Sequence, residues 1–332
     1  MGSIYGLSMG LLTRMRVAIT GGTGTLGRAL ISRFLTDGYG RVVSVSREEV
    51  KAGDLQDAYP DHPALRVFLG DVRDRDRLKQ AFTGCDTVIH AAALKRVMTG
   101  SYSPLEIILT NIQGTVNAIW AAKEAGVKRL LLISSDKAVH ATNLYGATKF
   151  AAECYATQSN SYTYPAGLRV ACTRYGNVLG SRGSVLEIWS RIAGVTPIPI
   201  THPQMTRFVI TQTDAVDFIL RSLKLMQGGE IFVPRLKAMR IADLATALYP
   251  GREVTLTGLR PGGEKLHEVL ISDEEQGRVW FTPRNDYVIL PSFRPWSNVS
   301  YGYTPLHGMS RYGSDTVPLY TTRELGELCQ NL

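Results

Sequence analysis

The 332-residue sequence contains few cysteines and no long apolar run. The four cysteines, Cys85, Cys154, Cys172 and Cys329, are widely separated and form neither a C-x-x-C pair nor a His-Cys ligand spacing. This pattern argues against a disulfide framework or a zinc site, and predicts a reduced, cytoplasmic protein without a metal. The longest early apolar patches are too short to span a membrane, and no repeat or low-complexity tract is evident.

Charge and composition narrow the class of protein further. The formal net charge is +8, but the basic residues are dispersed and match no nucleic-acid-binding module. Binding of small anionic ligands would also account for much of this positive charge. A hydrophobic content of 44% allows a substantial core. Residues 1–14 lack a charged leader or a clear cleavage site, so we interpret them as a leader or added extension, with Met15 as a plausible natural start.

Strand and helix signals alternate along most of the chain. This predicts an α/β fold with a Rossmann-like doubly wound parallel sheet and a smaller carboxyl-terminal lobe. We divide the chain into a dinucleotide-binding core (15–175), a mainly substrate-binding lobe interleaved with the core (176–284), and an irregular tail with a terminal helix (285–332). The tail's aromatic, proline and glycine residues show no clear periodicity and could wrap the lobe or a neighbouring subunit.

A glycine turn follows the first apolar strand, Val17–Thr20. Glycines recur at positions 21, 24 and 27, and an apolar-periodic helix follows. This strand–turn–helix layout lets backbone amides and a helix amino terminus hold a pyrophosphate, so it predicts a bound dinucleotide. The residues that we assign to this contact are Gly21, Thr23, Gly24, Thr25, Leu26 and Gly27.

The end of the second strand bears on the type of dinucleotide. Ser46 and Arg47 stand where a carboxylate would accept from the free ribose hydroxyls of NAD. A hydroxyl and a guanidinium suit a 2′-phosphate instead, so the sequence favours NADP over NAD. The alternative is that Arg47 is a surface charge paired with Glu48 or Glu49.

A polar cluster follows the apolar run 130–133. It comprises Ser135, Asp136 and Lys137, and Tyr145 and Lys149 follow at helical spacing. The carboxyl end of a parallel strand is where such sheets carry their chemistry. An ammonium four residues from a tyrosine would lower the phenol pKa and make it a base. Asp136 and Lys137 add a second acid and base; the alternative is a solvated turn beside a common helical spacing.

With these residues assembled, the chain resembles the extended short-chain dehydrogenase/reductases, and within them the soluble inverting UDP-N-acetylglucosamine 4,6-dehydratases of the polysaccharide-biosynthesis type. The resemblance runs from about residue 16 to 270. Its motifs are G-G-T-G-T-L-G (21–27), S-R-E-E (46–49), G-D-V-R-D (70–74), H-A-A-A-L-K (90–95), T-N-I-Q-G-T (110–115), S-S-D-K-A (134–138), N-L-Y-G-A-T-K (143–149), R-Y-G-N-V-L-G-S-R-G-S-V (174–185), M-T-R-F (205–208), G-G-E-I-F-V-P (228–234) and R-P-G-G-E-K-L-H-E (260–268). The membrane-anchored and epimerising relatives tend to carry methionine at the position of Tyr145.

The chain departs from the family pattern at three places. Serine replaces the usual threonine at Ser135, which keeps a hydroxyl. The residues after Lys95 are 96–98, Arg-Val-Met, where the family has His-Val-Pro. An extra glycine, Gly262 or Gly263, interrupts the usual R-P-G-E-K.

The resemblance implies further cofactor contacts. Asp71, beside Val72, would accept from the adenine, with a turn or helix cap as the alternative. The small side chains of Ala91 and Ala92 would let the cofactor approach closely, although tight helix–strand packing explains them equally well.

Two polar residues complete these expectations. Lys95 is expected to contact the sugar or the cofactor, or else to be an exposed loop lysine. Asn111 is predicted to open a helix and to order active-site water, with N-capping as the alternative.

The resemblance also implies a substrate site. Asn177, Arg182, Arg207 and Arg260 are expected around uridine and diphosphate because guanidinium groups match phosphate oxygens, although any single arginine is more often a surface ion pair. Glu264 belongs to the same loop, and His267, without a catalytic role, either joins that loop or packs in a helix after Leu266.

The implied reaction uses UDP-N-acetylglucosamine or a related nucleotide sugar. Tyr145 and Lys149 oxidise carbon 4 with NADP, Ser135 binds the 4-oxygen, a neutral Lys137 removes the carbon-5 proton and Asp136 releases the 6-hydroxyl as water. A 4-epimerase would not need the last two residues, and a non-catalytic NADP-binding scaffold or sensor would need none of them. Relatives commonly form homo-oligomers, and no nucleic acid or membrane partner is expected.

Overall fold

The computed structural model describes residues 15–95, 102–181, 183–192, 197–259, 262–298 and 300–330. The interpretation of residues 1–14 therefore lies outside the described part. The strands are β1 (Arg16–Thr20), β2 (Arg41–Ser46), β3 (Leu65–Leu69), β4 (Thr87–His90), β5 (Arg129–Ile133), β6 (Arg169–Thr173), β7 (Asn177–Val178), β8 (Ile198–Ile200), β9 (Thr206–Ile210), β10 (Ile231–Val233), β11 (Ala238–Arg240), β12 (Val254–Leu256), β13 (Val269–Ile271), β14 (Val279–Phe281), β15 (Tyr287–Ile289), β16 (Thr304–Pro305) and β17 (Tyr312–Gly313).

The helices alternate with the strands in the first half of the chain. They are α1 (Thr25–Thr36), α2 (Glu49–Asp57), α3 (Arg75–Phe82), α4 (Pro104–Ile108), α5 (Gly114–Glu124), α6 (Leu144–Gln158), α7 (Asn160–Thr163), α8 (Val185–Ile192), α9 (Gln212–Leu225), α10 (Ile241–Leu248) and α11 (Thr322–Gln330). A π-helical turn (Leu109–Gln113) joins α4 to α5, and 3₁₀ turns occupy Asp136–Ala138 and Gln276–Arg278.

The main sheet is parallel through its centre. Among the described residues its strand order is β16-β14-β15-β10-β6-β5-β4-β1-β2-β3, and the strands from β3 to β10 all run parallel. The chain order reverses between β1 and β4, which is the switch point where open parallel sheets bind ligands beyond their carboxyl ends. The predicted Rossmann-like doubly wound sheet is confirmed.

Apolar side chains cover both faces of this sheet. Val17 and Ile19 of β1 pack with Phe34 of α1 and with α9, whereas Ala18 packs with α3, α5 and α6 on the opposite face. Alternate strand residues point to opposite faces, so a strand buried on both sides must be apolar throughout. This explains the continuous apolar runs in β1 and β5.

Smaller sheets build the second lobe. β7, β9 and β11 form one sheet, β8 pairs with β12, and β13 pairs with β17. Trp189, Ile198, Met239 and Leu244 are among the residues of its separate apolar cluster.

The tail is more regular than its sequence suggests. β15 adds antiparallel to β10, and β14 and β16 extend that edge of the main sheet. These strands are only two or three residues long, too short for a periodic signal. In the described part of the chain, no helix has the length and apolar character needed to cross a membrane.

Candidate active site

The polar cluster lies on a sharp turn at the carboxyl end of β5. The Ser134 amide donates to the Thr173 carbonyl at 2.7 Å, and the Asp136 amide donates to the Tyr175 carbonyl at 3.1 Å, which continues the pairing with β6 beyond the strands. Ser135 caps the 3₁₀ turn that follows, because its hydroxyl accepts from the Lys137 amide at 3.3 Å. The turn therefore holds the side chains of Ser135, Asp136 and Lys137 at one edge of the sheet.

Lys137 lies between two buried carboxylates. Its Nζ is 3.0 Å from Oδ1 of Asp136 and 3.2 Å from Oε1 of Glu268. Asp136 is fully buried, and its Oδ1 also accepts from the Ser135 hydroxyl at 2.8 Å. Burial lowers the pKa of Lys137, but the two carboxylates outweigh it and hold the pKa above its usual value. Burial, together with Glu268, raises the pKa of Asp136. Both carboxylates therefore favour the ammonium form of Lys137 in the resting protein, and the neutral amine expected for the reaction requires loss of this proton.

Tyr145 begins the helix next to this turn. Asn143 caps α6, since its Oδ1 accepts from the Gly146 amide at 3.0 Å. A Cβ at Gly146 would lie 2.3 Å from the Lys137 carbonyl oxygen, so only glycine lets the helix approach the turn this closely. Tyr145 is brought beside Ser135 and Lys137 as a result.

The pKa of Tyr145 differs from the expectation. Burial raises it above the usual value, while the Lys137 ammonium and a hydrogen bond with Ser135 act in the opposite direction. Lys149 is buried, and its Nζ donates to the Ile133 carbonyl at 2.5 Å. Burial lowers the pKa of Lys149 to about 8. The predicted lowering of the phenol pKa by Lys149 is wrong because this amine is directed to the end of β5.

Asn111 takes a different position from the one predicted. It lies inside the π-helical turn between α4 and α5, and it neither opens nor caps a helix. Its side chain bridges to both backbone groups of Leu94, at 2.8 and 3.0 Å, and donates to Oγ1 of Thr148 at 3.0 Å. Thr148 in turn donates to the Tyr145 carbonyl at 2.8 Å. Asn111 therefore ties the segment after β4 to the helix of Tyr145.

The glycine turn forms a close-packed cradle. Gly21 has φ +72°, and a Cβ there would lie 3.0 Å from the backbone of Ala92. A Cβ at Gly27 would lie 2.4 Å from the Gly21 carbonyl oxygen. Gly24 is the N-cap of α1 and, as a glycine, contributes no side-chain cap. The turn thus leaves helix amides available to an anion, which fits the pyrophosphate of a dinucleotide.

The residues expected at the adenosine end cluster beside this cradle. The hydroxyls of Thr23 and Ser46 are 2.8 Å apart. Arg47 faces Asp71, with 4.0 Å between its guanidinium and Oδ2, and not Glu48 or Glu49. Asp71 also accepts from Arg73, whose guanidinium is 2.7 Å away.

Asp71 forms a turn and does not cap a helix. Its Oδ1 accepts from the Arg73 amide at 2.9 Å, whereas Asp74 caps α3. The Asp71 pKa is lowered: burial alone would raise it, but Arg73 and Arg47 outweigh that effect. The adjacent Val72 is buried against Gly114 of α5.

Two alanines line the other side of the cradle. The Ala91 amide donates to the Thr20 carbonyl at 3.2 Å, and the Ala92 amide donates to Oγ1 of Thr20 at 3.3 Å. Lys95 is exposed at the end of this segment. Residues 96–98, where the chain departs from the family pattern, lie outside the described residues.

The predicted substrate residues are only partly brought together. Asn177 is exposed beside the site, and its Oδ1 is 3.4 Å from Nζ of Lys137. Arg207 is buried instead of facing a ligand: it donates to the carbonyls of Thr206, Leu266 and Lys265 at 2.7, 3.0 and 2.9 Å. Arg182 and Arg260 lie outside the described residues.

Glu264 pairs with the buried arginine, and its loop closes on the site. A distance of 3.5 Å separates Glu264 from the Arg207 guanidinium. Gly262 and Gly263, the pair that includes the extra glycine, have φ +96° and +83°. The Gly263 carbonyl accepts from the Thr142 hydroxyl, just before α6. His267 does not lie in a helix; its Nδ1 is 2.8 Å from Oγ1 of Thr206.

Sequence reasoning missed two buried charged groups. Glu268 was part of the last matched motif but received no role. Arg174 is 1% exposed and binds Glu153 of α6 and Glu275 at 2.6 and 2.8 Å, so it joins the helix of Lys149 to the second lobe. The available signal was a charged residue directly flanking an apolar strand, which is equally typical of surface positions.

The sheet order, the glycine cradle and the Tyr–Lys helix beside it define the extended short-chain dehydrogenase/reductase class. The sequence profile of the family described as polysaccharide biosynthesis protein matches residues 17–287. The chain belongs to that family.

Individual proteins resemble the chain over most of its length. UDP-N-acetylglucosamine 4,6-dehydratase (inverting) of Campylobacter jejuni is 41% identical over 86% of this chain and 85% of its own. UDP-glucose 4-epimerase of Rickettsia conorii is 37% identical over 82% of each chain. The X-ray structure of Pen from Bacillus thuringiensis has a TM-score of 0.86 and 31% identity, covering 97% of this chain and 99% of that one.

Proposed function

We propose that this protein is a nucleotide-sugar 4,6-dehydratase that converts UDP-N-acetylglucosamine to a 4-keto-6-deoxy sugar, with inversion at carbon 5, for surface glycan biosynthesis. The observation that carries the proposal is the ion pair between the buried Asp136 and the partly exposed Lys137 beside Tyr145. Oxidation of an alcohol needs one base, whereas elimination of water needs an additional base and acid. The similarity to the Campylobacter dehydratase supports the same substrate.

The glycine cradle supports the binding of a nicotinamide dinucleotide. The residues expected at the adenosine end of that dinucleotide favour NADP over NAD. Gly21, Gly24 and Gly27 would hold the pyrophosphate on the amino terminus of α1. The Ser46 hydroxyl and the half-exposed Arg47 guanidinium would receive the 2′-phosphate. When bound, the nicotinamide would accept hydride from carbon 4 of the sugar and return it to carbon 6.

Tyr145 is the proposed base for the 4-hydroxyl proton. Lys137 and Ser135 already counteract the effect of burial on its pKa. Lys149, whose amine has a pKa lowered to about 8, is proposed to hold the cofactor ribose. Ser135 would donate to the 4-oxygen as negative charge develops there.

Asp136 and Lys137 are the proposed acid and base of dehydration. They are an ion pair in the resting chain, with 3.0 Å between Nζ and Oδ1. Transfer of one proton across this hydrogen bond would leave an amine and a carboxylic acid. The amine then takes the carbon-5 proton, and the acid protonates the departing 6-hydroxyl as water. This returns Lys137 to an ammonium and Asp136 to a carboxylate, so the proton balance closes.

Proton NMR of UDP-N-acetylglucosamine, incubated with the protein in deuterated water, tests the function. A new carbon-6 methyl signal, with deuterium at carbon 5 and no net consumption of NADP, is expected. The ring coupling constants report whether carbon 5 is inverted. Formation of the galacto epimer alone would favour the 4-epimerase, which the Rickettsia relative also suggests.

Two variants separate these reactions. Asp136→Asn should abolish methyl formation, because the acid for the 6-hydroxyl is lost. Tyr145→Phe should abolish both dehydration and epimerisation. Glu274→Gln is the control, since this carboxylate is 78% exposed. A normal rate of methyl formation in Asp136→Asn would contradict the proposed acid role.

The cofactor proposal has its own test. Arg47→Gln should weaken NADP binding by about 10- to 100-fold, because one hydrogen bond between charged groups contributes about 1.5–3 kcal/mol. NAD binding should change little. Arg323→Gln, on an 89% exposed side chain of α11, is the control in the same fluorescence titrations. An equal loss for both cofactors would argue against a 2′-phosphate contact.

The remaining assignments are part of the same proposal. Asn177, beside Lys137, and Lys95 are proposed substrate contacts, and Ala91, Ala92, Asp71 and Val72 are proposed to line the cofactor site. Arg182 and Arg260 are proposed to contact the nucleotide diphosphate, and Glu264, on the loop of Arg260, is proposed as a further substrate contact. We propose a cytoplasmic homo-oligomer, which light scattering and fractionation would check.

A further inference from the structure

Glu268 is a buried carboxylate that, like Asp136, lies within ion-pairing distance of the Lys137 ammonium. Its side chain is 3% exposed and immediately precedes β13. Oε1 is 3.2 Å from Nζ of Lys137 and 3.9 Å from Nε of Arg207, and Oε2 is 2.9 Å from Nζ of Lys265. The carboxylate therefore contacts one proposed catalytic group, the buried Arg207 and the partly buried Lys265.

The backbone fixes where this carboxylate lies. The Glu268 amide donates to Oγ of Ser314 at 2.9 Å, and its carbonyl accepts from the Ser314 amide at 2.8 Å. Lys265 donates to the Val139 carbonyl at 2.8 Å, next to the turn of Lys137. These bonds hold the loop against the turn, so Glu268 cannot move away from Lys137 without breaking them.

We propose that Glu268 is a positioning residue for the dehydration step: its carboxylate holds Nζ of Lys137 in place beside Asp136, where this amine is the proposed base for carbon 5. The inference rests on the proposed dehydratase function. A lysine paired with Asp136 alone would swing with that carboxylate. The second carboxylate, on a different segment, holds Nζ independently of Asp136.

The charges around Lys137 shift the pKa values of the two carboxylates in opposite directions. Glu268 faces Arg207, Lys265 and Lys137, and together these cations outweigh burial and lower its pKa, so it stays ionised. Asp136, with its pKa raised, is the carboxylate that accepts a proton more readily. Glu268 therefore stabilises the ammonium that forms when Lys137 takes the carbon-5 proton, and Asp136 remains available as the acid.

Glu268→Gln keeps the shape of the side chain and removes its charge. Loss of one close opposite charge lowers a lysine pKa by about 1–3 units. We expect kcat to fall about 10- to 100-fold with little change in KM, because Nζ of Lys137 loses the carboxylate that holds it in place while substrate contacts remain. The alkaline limb of the kcat pH profile should move to lower pH, since Lys137 then loses its proton more easily. Tyr145 also faces this cluster, and the variant keeps this residue.

Isotope effects distinguish this role from a merely structural one. With substrate deuterated at carbon 5, the isotope effect on kcat should grow in Glu268→Gln, while the effect of deuterium at carbon 4 should shrink. Glu274→Gln is the control and should alter neither value. Thermal unfolding reports whether Glu268→Gln is folded; if it is not, Glu268→Asp, which keeps the charge but withdraws it by one methylene, is measured in the same way.

The outcomes are distinct. A larger carbon-5 isotope effect together with the shifted pH profile supports the proposal. Unchanged isotope effects with a lower kcat, or an unchanged kcat, would overturn it. Failure of the unaltered protein to place deuterium at carbon 5 would instead refute the dehydratase function itself.

Discussion

Acidification from about pH 7.5 to about pH 5 is expected to remove about 2 kcal/mol of folding stability through His90 alone. This side chain ends β4, is 1% exposed, and its Nδ1 lies 2.7 Å from Oγ1 of Thr20. Burial, reinforced by the nearby Lys149 ammonium, lowers its pKa from 6.5 to about 3. The folded chain thus keeps His90 neutral over a range in which the unfolded chain protonates it.

The sign and size of the effect follow from linkage. Above pH 6.5, His90 is neutral in both states and stability does not change. As the pH falls below 6.5, only the unfolded state binds the proton, so stability decreases; below about pH 3 both states bind it and the loss is complete. One pKa unit corresponds to about 1.4 kcal/mol, so the full loss is about 5 kcal/mol.

Urea unfolding followed by circular dichroism at the two pH values measures the effect. His90→Asn should lose the pH-dependent 2 kcal/mol, whatever its constant change in stability. His307→Asn is the matched control because His307 is exposed. If His90→Asn kept the full pH dependence of the unaltered protein, the inference of a buried neutral imidazole would be refuted.

Two further perturbations test the frame around the site. Arg174→Met should destabilise the protein by about 3–5 kcal/mol in urea unfolding, because it leaves the buried carboxylate of Glu153 and the largely buried one of Glu275 without their cation. Adding Glu153→Gln should recover part of this loss. A loss below about 1 kcal/mol would show that the pairing behaves like a surface ion pair. Gly27→Ala should cost about 1–3 kcal/mol and weaken dinucleotide binding in a fluorescence titration, because its Cβ overlaps a carbonyl oxygen of the turn. Gly53→Ala in α2, where nothing lies within 4 Å, should instead stabilise by about 0.5–1 kcal/mol, and an equal response of both variants would contradict the close-packed cradle.

Local pattern predicted the central sheet and the glycine turn well. The runs at β1 and β5 are apolar because both faces of these strands are covered, and this property is visible residue by residue. The short edge strands β14, β15 and β16 were not predicted, since two or three residues carry no periodicity. Asn111 was misplaced because a π-helical turn inside a continuous helical segment leaves no composition signal.

The pKa shifts of the active-site groups could not be predicted from their spacing in the sequence. Tyr145 and Lys149 are four residues apart, which suggests an ammonium acting on the phenol. In the folded chain the Lys149 amine is directed to Ile133, and Lys137 is the cation that acts on Tyr145. The direction of a side chain depends on which acceptors the neighbouring strand presents, and these come from distant parts of the sequence.

The sequence by itself determined the strand–turn–helix that suits a dinucleotide, the placement of Asp136 and Lys137 after a buried strand, and the family. Each of these depends on residues close together in the chain, where backbone geometry translates order directly into position. Only the tertiary structure decided that Glu268, 131 residues after Lys137 in the numbering, faces its ammonium. The same holds for Arg207, which is buried against the carbonyls of Lys265 and Leu266. Charges buried together set each other's pKa, and that proximity exists only after the second lobe packs against the sheet.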